Sequence, residues 1–305
     1  MRTGLGRALM MFDLLVLGYF VAVNTIYLIF TVISFFALRA HRRRWTPREL
    51  GAVMRSPATP GISLIAPAYN EESTIAESLR SLLLLNYPQF EIVVVNDGSR
   101  DGTLAAAAAA FDLVRAPVSY AQPLATKPVR GVYRSLMTQD LVMIDKENGG
   151  KADAINAGIN AARYPLICVM DADSLLEEHA LTRAVLPFIE DPSTIAAGGI
   201  IRIANGCRIE NGRVLQVRLP PNPLAMFQVV EYFRAFLGGR VAQSSLKALL
   251  IISGAFGLFR RDLVLEAGGL RHDTIGEDME LVVRLHRLCL ERRQPYRVEI
   301  GRAHV

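Results

Sequence analysis

The chain has 305 residues, 51% of them apolar and 21% charged, a composition that supports a substantial packed core and excludes a disordered polar chain. Its net charge of +5 owes much to one cluster, Arg39, Arg42, Arg43 and Arg44, so it points to an anionic lipid surface and not to nucleic acid. Cys168, Cys207 and Cys289 form no CxxC pair and no even-numbered framework, which argues against a disulfide scaffold or a cysteine zinc site and fits a reducing cytosol.

In chain order, residues 12–38 come first. After Asp13 they carry no charge, and they exceed the roughly 20 residues needed to cross a bilayer. A signal peptide would have an apolar stretch of about 7 to 15 residues and a small-residue cleavage site, so a transmembrane helix is expected. The arginine cluster outweighs Arg2 and Arg7 and places the following residues in the cytoplasm, at the inner face of the cell membrane. Residues 39–60 read as a basic, proline-containing linker.

Beyond residue 60, short apolar runs alternate with amphipathic stretches. Strands are expected at 62–69, 91–97, 140–146 and 165–171, with helices at 73–85, 102–114, 151–162 and 175–189. Continuous apolar strands separated by helices imply a mostly parallel sheet covered on both faces, a doubly wound α/β layout. Residues 115–139 look like an irregular basic insertion, with extended segments near 194–203 and 213–218. Phe227, Val230, Phe233 and Leu237 then form a helical stripe expected to face the core; a helix lying on the membrane is the alternative.

In an open α/β sheet the ligand lies beyond the carboxyl ends of the strands. There the sequence reads "PAYNEES", "VNDGSRDGT" and "MDADS". Each has an ordinary explanation: Thr74 with Glu77 and Ser174 with Glu177 fit capping boxes, and Asp97-Gly98 fits a turn. Asp171 and Asp173, two apart on an extended chain, point the same way and can converge on one ion. Magnesium is commonly held by one or two carboxylates together with substrate phosphates. "ENGGKADAINAG" places Lys151 near a helix start, where anions are favoured, while Glu277 and Asp278 open another helix as dipole-favoured acids or as a general base. No HExxH, GxSxG or GxGxxG occurs, which removes most support for protease, hydrolase and dehydrogenase readings.

Taken in order over about residues 60–290, "APAYNEE", "VNDGSRDGT", "NGGKADAINAG", "MDADS", "SGAFGLFRR" and "IGEDMEL" resemble the family 2 glycosyltransferases. They are most similar to the membrane-bound processive group that makes poly-N-acetylglucosamine, chitin, hyaluronan and cellulose. The resemblance implies a Rossmann-like GT-A domain over residues 61–299 and a nucleotide-sugar donor, UDP-N-acetylglucosamine by preference. The acceptor would be a polysaccharide; a glucosyl or mannosyl transferase acting on a glucan or lipid-linked acceptor, or a non-catalytic fragment, is the alternative. It further implies that Ala68, Tyr69 and Glu71 line the nucleotide, that Asp97 bonds the base, and that Lys151, Asp171 and Gly254 contact the substrate. Asp171 and Asp173 would hold Mg2+ or Mn2+, and Asp278, beside Glu277, would be the base of an inverting transfer.

Gly276 stands where the family often has Thr, and neither the QxxRW motif nor further membrane helices occur within these residues. The last six residues, 300–305, read as the translation of a common sequencing adapter, so an incomplete gene is expected, with a natural short chain as the alternative.

Overall fold

The computed structural model describes residues 2–41, 46–117, 120–172, 174–210, 213–274 and 276–304. Helix α1 (Arg2–His41) contains a stretch, Gly6–Arg39, long and apolar enough to cross a membrane, and only 6% of its most apolar window is buried against the rest of the protein. The expected linker contains a two-turn helix, α2 (Pro47–Met54). Its cause is local. The Thr46 hydroxyl accepts the Glu49 N–H at 3.3 Å, the Glu49 carboxylate accepts the Thr46 N–H at 2.7 Å, and proline occupies the first turn.

Four strands make the centre of the molecule: β1 (Ile62–Ala68), β2 (Phe90–Asp97), a strand at Leu141–Lys146 and one at Leu166–Met170. Helices α3 (Ile75–Leu83) and α4 (Thr103–Phe111) connect the early ones. Residues 113–135, expected to be irregular, instead supply two antiparallel strands, β3 (Leu113–Ala116) and β4 (Val129–Ser135). They form a sheet edge whose exposed Arg130 and Arg134 and whose register shift at Val129/Gly131 blur the alternation that announces a strand. The two remaining central strands are therefore β5 (Leu141–Lys146) and β6 (Leu166–Met170), bridged by α5 (Lys151–Ala161).

After β6 the expected helix at 175–189 is broken into two short ones, α6 (Ala180–Ala184) and α7 (Leu186–Glu190). The Ser174–Glu177 capping box does not form: the Ser174 N–H donates to the Asp171 carbonyl at 3.1 Å, and Glu177 pairs with Arg183 at 2.6 Å. The chain continues through β7 (Thr194–Ile200), a small hairpin of β8 (Arg208–Glu210) and β9 (Arg213–Gln216), α8 (Pro223–Phe233), a π-helical segment (Arg234–Arg240) and α9 (Val241–Ser245). β10 (Phe256–Arg260), α10 (Arg261–Glu266), α11 (Glu277–Glu291) and β11 (Arg297–His304) complete it.

The nine-stranded sheet runs β11-β7-β10-β6-β1-β2-β5-β4-β3. β6, β1, β2 and β5 are parallel, as the apolar runs require, whereas β10 is antiparallel to both β6 and β7. Alternate residues feed opposite layers. Ile62, Leu64 and Ala66 join α3 and α4 on one face, while Ile65, Ile167 and Val169 meet Ile155 and Ile159 of α5 and Leu281 and Leu285 of α11 on the other. Gly158 lets α5 lie flat on β1, since a Cβ there would stand 2.4 Å from Cγ2 of Ile65.

The apolar stripe at Phe227, Val230 and Phe233 is not core. All three side chains are exposed and α8 has no buried residue. The segment after α8 carries the contact instead: Phe236 is buried, the Ser34 hydroxyl of α1 donates to the Gly238 carbonyl at 2.8 Å, and the Arg234 guanidinium lies 4.8 Å from the Tyr27 ring centroid.

Candidate active site

The polar loops after the parallel strands gather at one edge of the sheet and form two groups of different character. The first is closed. The Asn70 N–H donates to Ser99 Oγ at 3.0 Å, the Arg100 N–H donates to Asn70 Oδ1 at 2.9 Å, and the Glu71 N–H donates to Thr103 Oγ1 at 2.8 Å. The loops after β1 and β2 are thus laced together. Ala68 is buried at the strand end, Tyr69 is exposed, and the Glu71 carboxylate accepts the Thr74 hydroxyl at 2.5 Å, which replaces the expected Thr74 cap.

Asp97 is the hinge of this group. Lys146 Nζ lies 2.6 Å from its Oδ1, which also accepts the Gly149 N–H at 3.0 Å, and its Oδ2 accepts the Gly150 N–H at 2.8 Å. Lys146 is fully buried and reaches Asp153 Oδ1 at 2.6 Å and the Glu147 carbonyl at 2.5 Å as well, so its three donors meet three acceptors. Gly98, at φ +66°, permits the close approach, because a Cβ there would stand 2.6 Å from the Asn148 nitrogen. Asp97 thereby fixes the two glycines that precede Lys151 and aims the start of α5.

Lys146 and Asp153 were not foreseen. The signal was present in the register: Asp97 and Lys146 are direct partners on neighbouring parallel strands, and two acids near one buried strand end call for a cation.

The second group is open. Lys151 Nζ pairs with Asp171 Oδ1, and both side chains remain more than a third exposed. Gly254 is close by, since a Cβ on it would stand 3.3 Å from Lys151 Nζ. Its N–H donates to Asp278 Oδ2 at 3.1 Å, and Asp278 Oδ1 accepts the Met279 N–H at 2.8 Å. Four residues drawn from α5, the end of β6, the loop before β10 and the start of α11 therefore converge: Lys151, Asp171, Gly254 and Asp278. Glu277 opens α11 beside Asp278. Asp173 lies outside the described residues, and no group of three or more metal-ligating side chains occurs among the described ones.

This group can place a carboxylate against a hydroxyl, an ammonium against an anion, and a second carboxylate against a metal. Helices on both faces of a mixed sheet, with acids and a lysine beyond the carboxyl ends of its central strands, define the GT-A class of fold. A mannosyltransferase from Pyrobaculum calidifontis, solved in complex with GDP-Man and Mn2+, has the same fold, with a TM-score of 0.56 and 21% identity over 92% of this chain and 68% of that one.

The sequence family described as "Glycosyl transferase family 2" matches residues 63–122, and "Glycosyltransferase like family 2" matches residues 126–291, so the chain belongs to glycosyltransferase family 2. It is 29% identical over 227 residues to the poly-beta-1,6-N-acetyl-D-glucosamine synthase of Staphylococcus aureus (strain COL) and 30% identical over the same length to that of Staphylococcus epidermidis. Each match covers 74% of this chain and 46% of the relative, so the chain spans about half the length of these proteins.

Proposed function

We propose that this chain transfers a sugar, with inversion, from a nucleotide-sugar donor to a growing polysaccharide at a membrane surface, and that the donor is UDP-N-acetylglucosamine. The observation that carries the reading is the meeting of Lys151, Asp171 and Asp278 around Gly254 at the carboxyl edge of the sheet. The donor follows from the likeness to the staphylococcal synthases. The membrane follows from α1, and the cytoplasmic setting from the arginines after it.

Asp278 takes the proton of the acceptor hydroxyl as that oxygen bonds to the anomeric carbon. The bond from that carbon to the diphosphate breaks, and its electron pair leaves with the nucleoside diphosphate. Two backbone N–H groups hold the Asp278 carboxylate in place for this step. Lys151, paired only with a half-exposed acid, is free to turn to the donor's phosphates. Tyr69 is assigned to the nucleotide directly, and Asp97 through the loop it positions.

A divalent ion fits the same edge. The Asp171 carboxylate is accessible and already carries a cation, the Lys151 ammonium, which marks where positive charge is favoured. Asp171 with Asp173 would hold Mg2+ or Mn2+, and the ion would supply charge stabilisation to the departing diphosphate.

The test is UDP release from UDP-N-acetylglucosamine by the full chain in detergent, with Mn2+ or Mg2+ and after chelation. Asp278→Asn is expected to slow release by about 10²- to 10⁴-fold, the usual worth of a general base, while UDP still binds. Equal rates in the two proteins would remove the assignment of Asp278. Faster turnover of UDP-glucose or GDP-mannose would reassign the donor.

A further inference from the structure

β2 ends in two neighbouring residues, Asn96 and Asp97, and successive residues of a strand serve opposite faces of the sheet. Asp97 serves the α5 face, where it pairs with Lys146 and aims the turn before Lys151. Asn96 follows Ile92 and Val94 onto the face covered by α3 and α4. In the register it is the direct partner of Ala68 on β1 and of Asp145 on β5, so one row of residues crosses three strand ends. Asn96 and Asp145 are both buried, and an amide and a carboxylate in that position cost free energy unless they are hydrogen-bonded.

They are bonded, and in one direction only. A carboxylate accepts and does not donate, so Asp145 takes the Asn96 amide N–H at 2.8 Å, which leaves the Asn96 carbonyl for Ser99. That carbonyl accepts the Ser99 hydroxyl at 2.5 Å, and the hydroxyl oxygen, its proton spent, accepts the Asn70 N–H at 3.0 Å. The relay ends on the residue that follows Tyr69. Asn70 stands at φ +58°, in the left-handed region that asparagine tolerates better than most residues, and its Oδ1 accepts the Arg100 N–H at 2.9 Å. Main chain and side chain of Asn70 are thus both tied to the loop after β2. Tyr69, one position earlier, keeps 45% of its surface exposed beyond the end of β1. An aromatic ring held in one place and left open is suited to stacking on a base.

We propose that Asn96 is a positioning residue for the nucleoside end of the donor: acting through Ser99, it fixes Asn70 and with it the place of the Tyr69 ring. Asp97, on the opposite face, fixes the glycine turn before Lys151 at the diphosphate end. The assignment rests on the transferase reading and divides the donor between two adjacent residues of one strand.

The test measures the affinity of the full chain in detergent with Mn2+ for three probes: UDP, uridine, which lacks the phosphates, and pyrophosphate, which lacks the nucleoside. Melting temperature checks folding. Ser99→Ala, which removes the middle of the relay, is expected to weaken UDP and uridine by about three- to tenfold, the factor carried by a neutral hydrogen bond, and to leave pyrophosphate unchanged. Asn96→Asp keeps the shape but sets a second carboxylate against Asp145, and is expected to show the same pattern with a larger loss. The double variant is expected to be no weaker than Asn96→Asp alone, because the two residues act in one chain. In turnover, both single variants should raise the donor KM and leave kcat unchanged. UDP affinity equal to wild type in Ser99→Ala overturns the proposal, and so does a loss shared by pyrophosphate or a change confined to melting temperature. Losses that add in the double variant overturn the relay. Should Asn96→Asp fail to fold, Ser99→Ala decides alone. A wild-type chain that binds neither UDP nor GDP sinks the transferase reading itself, and this proposal with it.

Discussion

Two charge clusters share one sheet edge, and they are built in opposite ways. Around Lys146 the charges are buried, mutually paired and saturated, with Asp97, Asp153 and the Glu147 carbonyl taking every ammonium proton. Around Lys151 the charges are part-exposed: Lys151 and Asp171 are paired with each other, and Asp278 is held by two backbone N–H groups. The two lysines are five positions apart on either side of the Gly149-Gly150 turn, so residue type does not separate them. The difference teaches that the first cluster is a frame and the second is a set of groups kept available to a ligand.

The largest effect expected from breaking this contrast is at the frame. Lys146→Met leaves Asp97 and Asp153 buried without their cation and should cost about 3–5 kcal/mol, read as a drop in denaturant midpoint. A stable, fully folded Lys146→Met would show that the pair is not structural. Next is the seat of α5 between the clusters. Gly158→Ala drives a methyl to within 2.4 Å of the Ile65 side chain, and should cost about 1–3 kcal/mol in the same measurement with no change in the pH profile of turnover.

Lys151→Met sharpens the comparison from the other side. An exposed ion pair contributes about 0–1 kcal/mol, so melting should hardly move while UDP affinity and turnover fall. A variant that loses stability and keeps UDP affinity would place Lys151 in the frame.

The smallest effect is a control that belongs to neither cluster. Hydrogen bonds from Ser193 and then Arg297 hold the Asp191 carboxyl down at about 2, below its ordinary 3.8. Because the folded value is the lower one, Asp191 adds stability above pH 3.8 and loses it as pH falls through about 2. Acid titration of the melting temperature should show a shallower decline over that window in Asp191→Asn, and parallel curves would dismiss the effect.

The central fold was legible because β1, β2, β5 and β6 are buried on both faces, which writes them as unbroken apolar runs. The β3–β4 edge was not legible, since most of its residues are exposed or only partly buried and a register shift interrupts the pairing. α8 misled for a related reason: a helical stripe of Phe and Val states that something apolar covers it, without saying whether protein does. In the site, Lys151, Asp171, Gly254 and Asp278 were each visible as motif residues, but the hydrogen bond that joins Gly254 to Asp278 spans 24 positions and is a product of packing. Lys146 went unnoticed because a lone cation at the end of an element reads as solvated until the fold closes over it.

The contact between α1 and the π-helical segment sets a distance. Tyr27 and Ser34, which grip Arg234 and Gly238, both lie inside the stretch Gly6–Arg39 that is long enough to cross a bilayer. Helix α1 is therefore a bracket and not a tether: it grips the π-helical segment as well as leading into the rest of the chain. A soluble version begun at Thr46 would lose both grips at once, so truncation for convenience would alter the machine and not merely detach it.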